Sequence, residues 1–222
     1  MIFMNGYLVM VIIPLLLGLG ASGLVKARMR KYSNVRVSMN LSGREAALKM
    51  LADNGITNVS IQRGHEGEDH FDPRTNSISL SPSNYDEPSL TACATACHEA
   101  GHAMQYAFNY HPLFLRASLV PVVNLCSNAW FFIFIIGIAM HMAGLTLLAC
   151  AVYAVTVLFQ IVTLPVEFNA SSRALSYMRS IGIQGEELTR GKKLLSACAL
   201  TYVVAALVSA IQLLWIFASQ DR

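Results

Sequence analysis

The stretch Thr95-Ala96-Cys97-His98-Glu99-Ala100-Gly101-His102-Ala103-Met104-Gln105 decides how the rest of the chain is read. It contains His-Glu-x-x-His. Residues four apart on a helix lie about one turn apart on the same face, so His98 and His102 can hold one metal together. Glu99 stands beside that face, where it can polarise a water instead of binding the ion. The flanks favour a helix, because residues 90–96 are rich in Ala and Thr and no proline occurs until Pro112. Ala100 and Gly101 are small enough for a helix crowded by a metal and a substrate. Two packed or surface histidines would satisfy the same short pattern, so the reading depends on a third ligand from elsewhere in the chain.

The surrounding chain has the composition of a membrane protein. Of 222 residues, 55% are hydrophobic and 13% charged, against about 25% charged in a soluble domain. Stretches at roughly 5–25, 117–140, 143–164 and 197–218 are apolar over a length that crosses a bilayer. The expected architecture is a mainly α membrane protein with about four transmembrane helices and a small cytoplasmic α+β portion around the motif helix. In chain order it comprises an N-terminal anchor (1–25), a cytoplasmic portion with the motif (26–116), a transmembrane hairpin (117–164), a cytoplasmic insertion (165–196) and a C-terminal span (197–222). The net charge of +3, with no basic stripe interleaved with aromatics, excludes a nucleic-acid partner.

The basic residues orient this arrangement. Of sixteen Lys and Arg, ten lie in residues 26–116, five in 173–193, and only Arg222 lies elsewhere. By the positive-inside rule both polar segments face the cytoplasm, and four spans then place both termini and the turn at His141 outside. The N-terminus carries no positive charge before Lys26, the reverse of a cleaved signal peptide, which reads as an uncleaved anchor. The five cysteines form no disulfide framework. Cys93 and Cys97, four apart on the motif helix, are small buried residues or, in the second reading, contribute to a metal site.

Between anchor and motif, Ser42 and Glu45 form a capping-box pattern opening a helix that Gly55 closes. Residues 58–63 read as a strand, residues 65–74 as two turns, and Ser77, Ile78, Ser79 and Leu80 as a half-buried strand stopped by Pro82. Coming just before the motif helix, that last strand could offer a sheet edge to an extended peptide, or merely cover the helix. Asp69, His70 and Asp72 could suggest a metal cluster, but Pro73, Thr75 and Asn76 beside them are turn chemistry. A histidine at 108 would complete a different metal pattern, and Phe108 stands there.

Beyond His102 the acidic residues are Glu167, Glu186, Glu187 and Asp221. Asp221 falls outside, and Glu186 and Glu187 suit the N-terminus of a new helix. Glu167 lies at the cytoplasmic mouth of the third span, where a bare carboxylate is costly unless paired or bound to metal. A catalytic zinc commonly takes two His and one Glu. Glu167 is the carboxylate left for that role, and a salt bridge to Arg173 is the alternative.

With these residues assembled, the sequence resembles the YugP-type neutral zinc metallopeptidases of bacterial membranes. The resemblance rests on the N-terminal anchor, Asp69-His-Phe-Asp-Pro-Arg74, Leu80-Ser-Pro, His98-Glu-Ala-Gly-His102-Ala-x-Gln, and Leu164-Pro-Val-Glu-Phe with Ala170-Ser171 and Arg173-Ala174. It implies a gluzincin-like peptidase with Zn²⁺ and a Glu third ligand, a peptide or protein substrate, and a multi-pass setting in the bacterial inner membrane. A membrane-protein partner or a second copy of the chain would complete the set of partners. The family pattern has Asp after Glu-Phe, and here Asn169 stands in that place; an amide there accepts a hydrogen bond without charge.

The expected chemistry is peptide hydrolysis with Glu99 as general base and Zn²⁺ on His98, His102 and Glu167. Arg173, Tyr106 and Tyr177 are candidates to stabilise the transition state and Asn169 to orient a histidine ligand, while Gln105, seven after His98, reads as meeting only backbone needs or those of a ligand's surroundings. Two other readings stand beside it. A membrane scaffold could hold a closed structural zinc with Cys97 as fourth ligand, and a zinc hydrolase could act on a non-peptide substrate.

Overall fold

The computed structural model describes residues 11–218. Its helices are α1 (Ile13–Ser33), α2 (Gly43–Asp53), α3 (Pro82–Asp86), α4 (Leu90–Ala107), α5 (His111–Ala139), α6 (Ala143–Ser180) and α7 (Gly185–Ala218). Its strands are β1 (Ser60–Arg63), β2 (His70–Asp72) and β3 (Ser77–Leu80). One compact unit comprises Gly23–Leu113 with Val166–Leu200, and the remaining described residues form a second.

The second unit is made of apolar helix. Among the described residues α5, α6 and α7 are long and apolar enough to cross a bilayer. The first expected span lies partly outside the described residues; its described part belongs to α1, whose last turn carries Arg30 and Lys31. Inside this unit Trp130 packs on Tyr153 with ring centroids 4.5 Å apart, and the Tyr153 hydroxyl donates to Gln212 at 2.6 Å.

The first unit is built around α4. Helix α2 opens with the expected capping box, the Glu45 carboxylate accepting from the Ser42 N–H at 2.8 Å. It ends where Gly55, at φ +73°, takes the left-handed conformation. There the Gly55 N–H donates to Ala52 and the Ile56 N–H to Leu51, the paired bonds of a Schellman stop. The largest buried side chains of this core include Met50, Ile78, Leu80, Leu90, Met178, Ile183 and Leu194.

The three strands form one sheet in the order β1-β3-β2. Strand β3 runs parallel to β1, with Ser60 opposite Ser77, and antiparallel to β2, with Asp72 opposite Ser77. This corrects the expectation that Ser77, Ile78, Ser79 and Leu80 offer a free edge: both flanks of the strand are already bonded. Ile78 and Leu80 are completely buried, and a strand with that much to hide takes the middle. The alternation of polar and apolar residues told which side chains turn inward but not which strands lie alongside. A second correction concerns residues 70–72, which pair as β2 within an expected turn; the turn proper occupies residues 73–76 and ends on Asn76 at φ +51°.

The expected insertion at 165–196 is not a separate element. It is the end of α6, a short turn around Gly182 at φ +99°, and the beginning of α7. Pro165 lies inside α6. Its ring removes one backbone donor, yet the helix continues through Ser180.

Candidate metal centre

Helix α4 starts at Ser89, whose hydroxyl accepts from the Ala92 N–H at 3.1 Å. Fourteen of its eighteen residues are buried. A helix buried so fully can be approached closely only where its side chains are small, and α4 supplies Ala, Cys and Gly at those places. One such close approach is at Gly101, where a Cβ would stand 2.8 Å from the Ala170 carbonyl oxygen and 3.1 Å from the Ala170 Cα. That contact of backbones brings α6, and with it Glu167, against the motif face.

His98, His102 and Glu167 come together there, each offering one ligand atom, all within 4.8 Å of one another. The Glu167 Oε2 lies 3.4 Å from His98 Nε2 and 3.7 Å from His102 Nε2. The two imidazoles stand at 85° with centroids 4.7 Å apart. Ligand atoms at about 2.0–2.1 Å from a tetrahedral zinc are about 3.3–3.4 Å from one another, so the donor types fit the ion and the carboxylate oxygen stands close to that distance from each imidazole nitrogen. Burial pushes the Glu167 carboxyl up, but the hydrogen bonds from His102 and His98 outweigh it and hold the group well below the usual carboxylate range. Burial likewise pushes His102 down, and the Glu167 hydrogen bond with the charges of Glu99 and Glu167 raises it above its ordinary value. The carboxylate is therefore built to face a cation, supplied by protons on the imidazoles or by a metal that displaces them.

Glu99 is 7% exposed. Among the described residues no hydrogen bond or ion pair engages its carboxylate.

Both histidines are held from behind. His98 Nδ1 lies 3.2 Å from Ser171 Oγ, and His102 Nδ1 lies 3.0 Å from Gln105 Oε1. Gln105, completely buried, donates its amide to the Val166 carbonyl at 2.7 Å and to Asn169 Oδ1 at 3.0 Å. Arg173 Nε donates to the same Asn169 oxygen at 2.8 Å, with its guanidinium 5.9 Å from the Phe108 ring centre. Asn169 thus acts on His102 through Gln105. Ser171 carries part of the family resemblance but the sequence reading gives it no role at the site, although it stands four residues after Glu167 and so on the same helical face.

Several of the other candidates have partners of their own. The Tyr177 hydroxyl donates to Asp53 at 2.8 Å, and burial together with that carboxylate keeps the phenol protonated far above its usual range. The Tyr106 ring tilts against Phe71 of β2, centroids 5.9 Å apart. Asp69 accepts from the Ser81 N–H at 2.7 Å and from Asn84 at 2.8 Å, tying the loop before β2 to α3. Asp72 pairs with Arg74 at 3.0 Å. Both are turn and loop supports, as their neighbours implied. Cys97 is buried, and its hydrogen bond with Cys93 and its burial push the thiol well up. Among the described residues the metal-capable group comprises His98, His102 and Glu167, without a sulfur, so the closed-site reading lacks its fourth ligand.

Comparison with known proteins bears on the family and not on the individual donors. No solved structure matches the chain. A curated relative, "Putative membrane protease YugP" of Bacillus subtilis (strain 168), is 42% identical over 193 residues, 86% of this chain and 85% of its own length. The family model described as "Putative neutral zinc metallopeptidase" matches residues 7–220, a span containing all three donors. With apolar helices fit for a bilayer and two imidazoles facing one buried carboxylate, the chain belongs to that family of zinc metallopeptidases.

Proposed function

We propose that this chain is a membrane-embedded zinc metallopeptidase with a zincin-like catalytic portion, in which His98, His102 and Glu167 hold Zn²⁺ and Glu99 is the general base. The observation that carries the reading is the convergence of three donors within 4.8 Å, beside Glu99, a nearly buried carboxylate that no hydrogen bond or ion pair engages among the described residues. Bound there, zinc supplies a Lewis acid that polarises the scissile carbonyl and makes water a nucleophile near pH 7. Glu99 takes the proton that water loses on attack and passes it to the amine that leaves. Gln105 and Ser171 keep the two imidazoles turned toward Glu167 while this happens.

The setting follows from charge. Fifteen of sixteen basic residues fall on one side of a four-span arrangement, which supports a site on the cytoplasmic side, and the likeness to a bacterial membrane protease supports a multi-pass protein of the bacterial inner membrane. The substrate is a peptide or protein.

The test is a proteolysis screen with the purified protein and its Glu99→Gln form. The amide keeps the side chain's shape and cannot take the proton, so zinc stays bound while cleavage falls at least about a hundredfold. Unchanged cleavage by a zinc-loaded Glu99→Gln protein would assign the activity to another site.

A further inference from the structure

The geometry points to Gln105 as the positioning residue that fixes the tautomer of His102, in a hydrogen-bond chain whose polarity is set at both ends. This rests on the zinc reading given above. At one end stands the Val166 carbonyl, which can only accept; at the other stands Arg173, which can only donate.

An Asn or Gln amide can be turned either way round, and its hydrogen-bond partners decide which way. At 2.7 Å from the Val166 oxygen the Gln105 atom must be the nitrogen, since an oxygen there would set two acceptors face to face. The second hydrogen of that nitrogen meets Asn169 at 3.0 Å, so the Asn169 atom is an oxygen. Arg173 donating to the same atom at 2.8 Å requires the same assignment independently. Gln105 Oε1 is then what faces His102 Nδ1 at 3.0 Å, and it can only accept. Nδ1 must carry the proton. Nε2, on the Glu167 side at 3.7 Å, is left as the ring atom whose lone pair is available to a metal.

His98 has no such constraint from its partner. Ser171 can donate or accept at 3.2 Å, so it supports the ring without dictating which nitrogen is protonated. The two ligands are therefore unequal: His102 is delivered to the metal in one form, and His98 adapts. Asn169 needs only an oxygen that accepts twice, which an aspartate also provides.

A buried glutamine that merely joined α4 to α6 would hold the fold together and leave metal binding unmoved. The test separates these roles with the full-length protein in detergent, zinc titrated against a competing chelator, and ¹⁵N-labelled histidine observed by NMR. Gln105→Met keeps the length and removes the amide; it is expected to weaken zinc binding about 10–100-fold. Ser171→Ala should weaken it less, and Asn169→Asp should retain it. In the zinc-loaded wild-type protein the His102 signal, assigned by its loss in His102→Ala, should report the proton on Nδ1. This last measurement uses the intact chain, so a variant that fails to fold leaves the answer in hand. A proton on Nε2, or wild-type affinity in a folded Gln105→Met protein, would overturn the inference while leaving the zinc site standing. Wild-type zinc affinity in His102→Ala would overturn the zinc reading itself, and this inference with it.

Discussion

Helices α4 and α5 follow one another in the chain and are built on opposite plans. In α4, fourteen of eighteen residues are buried, and its interior includes Glu99, His102 and Gln105 among Ala, Cys and Gly. In α5, only Val123 and Gly137 of twenty-nine residues are buried, and Leu125, Phe132 and Ile138 are more than half exposed. A polar interior is tolerable because each group has a partner or a task, and small side chains leave room for neighbours to reach it. An apolar exterior of this extent calls for an apolar counterpart, which a bilayer would supply. Hydrophobicity alone thus says which medium a helix meets, while the size and pairing of its residues say what it does there.

The sharpest way to break this contrast is to remove a donor from the polar interior. His98→Ala and Glu167→Gln should each abolish tight zinc binding by metal analysis, whereas Glu186→Gln, whose partner is the exposed Arg190, should leave zinc content unchanged. Full zinc in the Glu167 variant would move the third ligand elsewhere.

A smaller but still large effect is expected where α4 touches α6. Gly101→Ala gains helix propensity of about 1 kcal/mol and meets the Ala170 backbone at 2.8 Å. Overpacking of this kind costs about 1–3 kcal/mol, so the substitution should lower the thermal midpoint and weaken zinc binding together. A gain in stability would mean that α6 has room to retreat.

Single cysteines at Ser60 and Gln184 should label from the same side of the membrane. Labelling from opposite faces would end the four-span arrangement. The smallest effect belongs to the lipid-facing plan: Leu125→Ala, at a residue 72% exposed, should change stability in detergent by no more than about 0.5 kcal/mol. A loss several times larger would show that α5 has a protein partner.

Much of the site was legible because its chemistry leaves few choices. His98 and His102 are fixed by helical spacing, and Glu167 emerged once the other acids had better explanations. The capping box at Ser42 and Glu45 was legible for the same reason, being a short-range exchange of hydrogen bonds. Strand order was not, because Ser77-Ile-Ser-Leu80 encodes only its own two faces, while its place between β1 and β2 depends on segments up to seventeen residues away. The continuation of α6 past Pro165 was also hidden. The apolar run that marks the third span ends at residue 164, and what carries the helix beyond it is packing, with Val166, Ala170, Ala174 and Met178 all completely buried along one side. The role of Ser171 and the orientation of the Gln105 amide needed the third dimension, since each depends on a partner more than sixty residues distant.

The meeting of Gly101 with Ala170 has a consequence for how this position can evolve. Most tight contacts join two side chains, so an enlargement on one side can be answered by a reduction on the other, and the pair drifts together over time. Here the opposing atoms are a carbonyl oxygen and a Cα, which every amino acid at position 170 would present alike. No second-site exchange of side chain can therefore make room. Every missense codon one base away from glycine adds at least a methyl group, so position 101 is expected to stay fixed without a co-varying partner, constrained by the path of the neighbouring chain instead of by its composition.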